Sequence, residues 1–273
     1  MNDRILVFTD LDGTFLDHRT YSFEPARPAL RLLRESGIPL IVCTSKTRAE
    51  VEEIRAALGN TDPFVVENGG AVFVPEGHFS IELRGARRDS GYLVVELGTS
   101  YHRILRIFSQ MKERLPGRLR GFSDMAIEEV ARLTGLSLDE AARAKKREYD
   151  EPFVLDDPAT NLETVHEMAE SAGLSITRGR FFHLTGDNDK GRAVRLVKDI
   201  YARTDGIAPR SIGLGDSPND LPLLENVDFP VLVQKPGGRY EPSIRLDNLI
   251  LAPGEGPIGW SVAVRELVER LAG

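Results

Sequence analysis

Residues 5–14 read ILVFTDLDGT, an apolar run that stops on two carboxylates, Asp10 and Asp12, one residue apart. Unbroken apolarity, as opposed to alternation, is the pattern of a strand buried on both faces, and such strands belong to parallel sheets covered by helices on either side. The two acids fall where that strand would end, at a turn that Gly13 helps to make. In open sheets of this kind ligands bind outside the carboxyl ends of the strands. Two like charges at the rim of a core are costly unless something positive sits between them.

The same rhythm continues downstream. Ala26, Ala29, Leu30, Leu32 and Leu33 form a helical stripe over about 25–36, which Gly37 stops. IPLIVCTS then reads as a second strand, TRAEVEEIRAALG as a second helix and PFVVENGG as a third strand. Past Gly85 the rhythm breaks. GYLVVEL (91–97) reads as a strand and SYHRILRIFSQMKERL as a helix, with shorter helical patterns near 124–133 and 137–147. A strand at EPFVL, a helix near 158–172 and short strands at LSITRG and RFFHLT complete a smaller α+β unit, an antiparallel sheet with helices on one face. After Gly186 the parallel rhythm returns, with a helix through KGRAVRLVKDIYAR, a strand at RSIGLGD, a short helix at SPNDLPLLENV, a strand at FPVLVQK and a last helix from about Trp260 to Leu271. The expected fold is α/β, a Rossmann-like parallel-sheet core made of 1–85 and 187–273, with an α+β cap over 86–186 inserted into it. A cleft between two such units is a usual place for a ligand.

A second acid pair narrows the chemistry. IGLGDSPND puts Asp216 and Asp220 at the end of another predicted strand. If both strands are central, four carboxylates converge, and a hard divalent cation would offset them. Mg²⁺ fits best, because it takes oxygen ligands and commonly bridges carboxylates to phosphate. Lys190 opens the helix after the insertion and suits phosphate as a point charge. Thr44 and Ser45 close the second strand, where hydroxyls and free amides can hold phosphate oxygens.

Bulk composition agrees with a globular protein, at 41% hydrophobic and 28% charged residues over 273. The net charge of -7 has no basic tract within it, so nucleic acid and anionic membrane are not expected partners. No apolar stretch approaches the roughly 20 residues that span a bilayer. A single cysteine, Cys43, rules out an intrachain disulfide, and with no leader pattern the expected compartment is the cytoplasm.

Taken in order, DLDGT, Thr44, Lys190 and GDSPND resemble the four motifs of haloacid dehalogenase-type phosphohydrolases, and the insertion resembles the α+β cap of their Cof-type subgroup. The resemblance implies that Asp10 is a nucleophile forming an aspartyl-phosphate and that Asp12 is the acid, then the base. It implies that Thr44 and Lys190 bind phosphoryl oxygens. Mg²⁺ would be held by Asp10, the Asp12 backbone carbonyl and Asp216, with Asn219 and Asp220 in support. TSKTRAEVE, ENGG, REYDEPF, GRFFHLTGDNDKG and GLGDSPND are similar to the mannosyl-3-phosphoglycerate phosphatases, which implies hydrolysis of 2-O-(α-D-mannosyl)-3-phosphoglycerate to the compatible solute mannosylglycerate.

On that reading the substrate contacts are Ser45, Lys46, Glu67, Asn68 and Gly69 from the core, with Arg147, Glu148, Glu151, Arg180 and His183 from the cap. An arginine could clamp the glycerate carboxylate and acids could accept sugar hydroxyls. The partner is thus a small phosphorylated sugar–glycerate, and the chain a monomer or weak homodimer. Three other readings stand beside it. They are a general Cof-type phosphatase of glucosyl-3-phosphoglycerate or hexose phosphates, a phosphomutase, and a non-enzymatic phospho-sugar-binding module.

Overall fold

A computed structural model of the chain describes residues 4–115, 117–157 and 160–272. Its first half runs β1 (Ile5–Thr9), α1 (Arg27–Glu35), β2 (Leu40–Cys43), α2 (Arg48–Leu58), β3 (Phe64–Val66), β4 (Ala71–Pro75), β5 (Arg87–Asp89) and β6 (Tyr92–Glu96). Next come α3 (Tyr101–Arg114), β7 (Leu119–Gly121), α4 (Ile127–Thr134), α5 (Leu138–Ala144), β8 (Asp150–Leu155), α6 (Leu162–Ser171), β9 (Ser175–Arg178) and β10 (Phe182–Thr185). The chain closes with α7 (Lys190–Asp205), β11 (Arg210–Gly215), α8 (Leu221–Leu224), β12 (Phe229–Gln234), β13 (Ile250–Glu255) and α9 (Gly256–Ala272).

Nine strands form the larger sheet in the order β13-β12-β11-β1-β2-β3-β4-β6-β5. It is parallel from β13 to β3 and antiparallel beyond. β1 shows why both faces are buried. Ile5 and Val7 face a cluster shared with Ala29, Leu33 and Trp260, while Leu6 and Phe8 face one shared with Ala193, Val197 and Leu223. Burying apolar side chains on both sides is what drives the continuous hydrophobic run. Four strands, β7-β8-β10-β9, form a separate antiparallel sheet whose core is built with α3 and α6.

Three differences from the sequence reading follow from pairing. The strand expected over 91–97 was assigned to the inserted unit, yet β6 lies against β4 with Val72 opposite Val95 and β5, which was not expected, pairs with β6, so 87–96 extend the larger sheet past the expected boundary at 85/86. β4 itself arises because ENGG reverses the chain, with φ of +47°, +58° and +95° at Glu67, Asn68 and Gly69. β13 lies in a stretch that reads as a Gly/Pro-rich loop. It survives Pro253 because it is an edge strand, where a missing N–H is tolerated. The last helix starts at Gly256, four residues before Trp260. The expected start of the 158–172 helix falls at residues 158–159, outside the described residues, and α6 begins at Leu162.

Candidate active site

The carboxyl ends of β1, β2, β3 and β11 are adjacent, because β1 lies between β11 and β2 and β2 pairs with β3. Asp10, Thr44, Glu67 and Asp216 each follow the last residue of one of these strands. Lys190, at the start of α7, reaches beneath them. Its Nζ lies 2.7 Å from Asp10 Oδ1 and 2.6 Å from Asp220 Oδ1, and all three residues are buried. Burial alone would lower the lysine's pKa, but the charges of Asp10 and Asp220 outweigh it and raise it, so the ammonium is fixed.

Asp220 is placed by its own turn. Its Oδ2 accepts the backbone N–H groups of Asp216 and Ser217, both at 3.1 Å, and the Ser217 hydroxyl at 3.2 Å. Asp216 Oδ1 accepts the Thr14 hydroxyl at 3.2 Å. Gly13 holds a left-handed φ of +78°, and a Cβ there would stand 3.0 Å from Asp216 Oδ2. Small size and unusual backbone are thus both needed at that position.

Asp12 turns toward the second strand. Lys46 Nζ lies 3.0 Å from Asp12 Oδ2 and 3.6 Å from Glu50 Oε1, while Asp12 Oδ1 is buried with no hydrogen-bond partner among the described residues. Lys46 belongs to the loop TSKT that leads into α2. Thr47 caps this helix by accepting the Glu50 N–H at 3.2 Å, and Glu50 accepts the Thr47 N–H at 2.9 Å in return. Thr44 is buried, and its hydroxyl accepts the Lys46 N–H at 3.3 Å.

Above this floor a cavity of about 300 Å³ opens between the two sheets. Asp10, Asp12, Ser45, Lys46, Asn68 and Asn219 line it from below, and Arg147, Arg180 and His183 from above. Residues 7–89 match the haloacid dehalogenase-like hydrolase family. A glucosyl-3-phosphoglycerate/mannosyl-3-phosphoglycerate phosphatase of Methanococcoides burtonii is 49% identical over 96% of this chain and 97% of its own. The chain belongs to the haloacid dehalogenase superfamily.

A second phosphatase named for both substrates, from Persephonella marina, is 41% identical over 98% of each chain. A mannosyl-3-phosphoglycerate phosphatase of Pyrococcus furiosus is 34% identical over 84% of this chain and 90% of its own. Among solved structures, a Thermoplasma acidophilum protein superposes with a TM-score of 0.67 at 18% identity, covering 100% of this chain and 99% of that one. A haloacid dehalogenase-superfamily phosphatase of Bacteroides thetaiotaomicron gives 0.67 at 17% identity, covering 99% and 96%. The protein is a capped phosphohydrolase of this superfamily, and it acts as a phosphatase.

In this phosphohydrolase the acidic floor suits a divalent cation. Asp10, Asp216 and Asp220 each offer a carboxylate oxygen, all within 4.8 Å of one another. Burial raises the Asp10 pKa well above the usual range, with Asp220 adding to it and Lys190 opposing. Burial, then Asp220, pushes Asp216 up to about 7. One lysine therefore leaves negative charge uncompensated, and hard oxygen donors are what Mg²⁺ takes. Asp220 has both oxygens occupied by Lys190 and the turn and supports the site from behind, while Asn219, on the cavity wall, accepts the Ser217 hydroxyl and donates to Asn68 Oδ1 at 3.1 Å.

Several residues expected to touch substrate face other partners in this phosphohydrolase. Glu67 is fully buried, its two oxygens accepting the N–H groups of Glu148 (2.9 Å) and Tyr149 (2.8 Å). Gly69 packs where any Cβ would strike the Asp189 backbone. Glu148 extends toward Arg87 at 3.7 Å. Glu151 is buried under the cap sheet, accepting the Tyr101 hydroxyl at 2.5 Å and the Ser123 N–H at 2.9 Å. Arg147 and Arg180 do line the cavity, but they donate to the chain itself: Arg147 to Ala144 O, Ser45 O and Asp150, Arg180 to Thr134 O and Leu133 O. Residues that sequence reasoning missed are Thr14, which follows the first motif directly, and Tyr21, Phe122, Arg178 and Phe181 on the cavity wall. Only Thr14 carried a local signal, being part of DLDGT; the others become neighbours through folding.

Proposed function

We propose that this phosphatase hydrolyses 2-O-glycosyl-3-phosphoglycerates, glucosyl as well as mannosyl, to the glycosylglycerate and phosphate. The observation that carries the phosphoryl-transfer chemistry is the buried Lys190 ammonium bridging Asp10 and Asp220 at the floor of the cavity. The substrate class rests on the relatives' names. Both sugars are included because two relatives above 40% identity are named for both.

With Asp10 Oδ1 held by Lys190, Asp10 Oδ2 attacks phosphorus in line with the ester oxygen. The P–O ester bond breaks as the phosphoryl group passes to Asp10, and the departing alkoxide takes a proton from Asp12. Asp12 then removes a proton from water as that water attacks the aspartyl-phosphate, freeing phosphate and restoring Asp10. Lys190 steadies Asp10 through both steps, and Thr44 and Ser45 stand beside the transferred oxygens. Mg²⁺ held by Asp10, Asp216 and the Asp12 backbone carbonyl would supply charge neutralisation to a dianionic phosphate facing carboxylates.

Phosphate release from glucosyl- and mannosyl-3-phosphoglycerate, measured beside a panel of hexose phosphates with Mg²⁺ present, tests the substrate class. Comparable kcat/KM on both glycosyl esters, well above the hexose phosphates, is the expected result, and a preference for hexose phosphates would favour a general sugar phosphatase. Asp10→Asn should lower kcat by about 10⁴-fold or more, as loss of a covalent nucleophile does. Activity near wild type in that variant would remove Asp10 from its role.

A further inference from the structure

Resting on the substrate class just proposed, we infer that Lys46 is the residue that selects for the glycerate carboxylate, exchanging Asp12 for it when substrate enters. The substrate brings a second negative charge two carbons from its ester carbon, into a site whose floor already holds Asp10, Asp12, Asp216 and Asp220. Some cation beside the leaving group must receive it.

The cations at the site differ in what they can release. Lys190 is 1% exposed and clamped between two carboxylates at 2.6 and 2.7 Å, beneath the nucleophile. Arg147 is tied to two backbone carbonyls and to Asp150. Arg180 gives both terminal nitrogens to the carbonyls that close α4. Freeing Arg147 would strand part-buried carbonyls, and Arg180 holds its two carbonyls on the exposed flank of α4. Arg178 lies at the exposed mouth, stacked over Phe182 at 5.0 Å, on the edge strand of the cap sheet.

Lys46 is different. Its partners are two side-chain carboxylates, Asp12 at 3.0 Å and Glu50 at 3.6 Å, with the Tyr21 ring 5.3 Å away, and Glu50 does not depend on it for placement. Glu50 is held by Thr47 through its other oxygen, so it keeps its position when the ammonium swings. Asp12 is the residue that must meet the ester oxygen, and its side chain is 40% exposed to the cavity side while that of Lys46 is 11% exposed. An ammonium touching Asp12 is therefore within a side chain's swing of a carboxylate two carbons from the ester. Exchanging one carboxylate for another conserves the charge pairing. It also frees Asp12 Oδ2 for the reacting oxygen.

The test compares glucosyl-3-phosphoglycerate with 2-O-glucosylglycerol 3-phosphate, which has a hydroxymethyl group where the former has its carboxylate. Wild-type enzyme should favour the carboxylate ester. In Lys46→Met the ratio of the two kcat/KM values should fall by about 10- to 100-fold, the worth of one charge-assisted contact, chiefly through KM for the carboxylate ester. Lys46→Arg, which retains the charge, should restore part of the ratio, and it serves as the second variant if Lys46→Met folds poorly. A Lys46→Met enzyme that loses activity on both esters in equal proportion, or keeps the wild-type ratio, overturns the assignment. So does a ratio that collapses in Arg178→Ala instead. Wild-type enzyme that hydrolyses neither ester, while releasing phosphate from another monoester, overturns the substrate class itself, a result distinct from failure of the Lys46 variants alone.

Discussion

Gly13 shows how much one position can decide. A left-handed φ of +78° and a would-be Cβ 3.0 Å from Asp216 Oδ2 exclude a side chain on two separate grounds. Gly13→Ala is expected to cost about 1–2 kcal/mol in stability, readable by urea denaturation, and to weaken Mg²⁺ binding by calorimetric titration. A variant with unchanged Mg²⁺ affinity would mean that Asp216 does not need that space. Asp10, Asp12 and Asp216 were legible as acids just past strand ends, and Lys190 as the start of a helix, because those patterns are local. Glu67 was misread for the opposite reason: composition says that it is an acid, but not that two amides from another segment fill both of its oxygens. Burial first, with Arg147 opposing, lifts its pKa to about 8.

The segment 67–70 does the work of a joint. Its three left-handed residues turn β3 back into β4, Glu67 grips the start of β8 through the Glu148 and Tyr149 amides, and Asn188 donates to Glu67 O (2.8 Å) and Tyr149 O (3.0 Å). One short turn thus ties the entry to β8 and the segment returning to α7 to the core. Glu67→Gln keeps one acceptor and sets an NH₂ against an amide donor, a loss of about 1–3 kcal/mol. Hydrogen exchange at the Glu148 and Tyr149 amides should then quicken, with the amides of β1 unaffected; unchanged protection would deny the joint. Antiparallel β4, β6 and β5 were not placed by periodicity because YLVVE reads alike in either sheet, and only the opposing strand settles membership.

Charge balance acts on the protein as a unit. Asp216 is raised to about 7 by burial and Asp220, and Asp10 also lies well above the ordinary carboxylate value of about 3.9. Without metal, the folded state holds protons that the unfolded chain has released. The contribution of these two acids to stability is therefore fully present below about pH 4 and falls as pH rises toward about 7, on the order of 2–4 kcal/mol. Mg²⁺ competes with those protons, so the rise in Tm on adding Mg²⁺ should be larger at pH 8 than at pH 5.5. Thermal unfolding at the two pH values checks this, and an equal or reversed gain would argue against a cation among these acids.

Runs of apolar residues and the acids that end them are properties of neighbouring positions, so the alternation of strand and helix and the acids and lysine that converge beneath the cavity could be read along the chain. The cavity wall, the partners of Glu67 and Glu151, and the sheet that owns β5 and β6 join positions tens to hundreds of residues apart. Hydrogen-bond satisfaction and burial choose among such pairings only once the chain is packed, because no local pattern encodes which distant donor will meet a given acceptor.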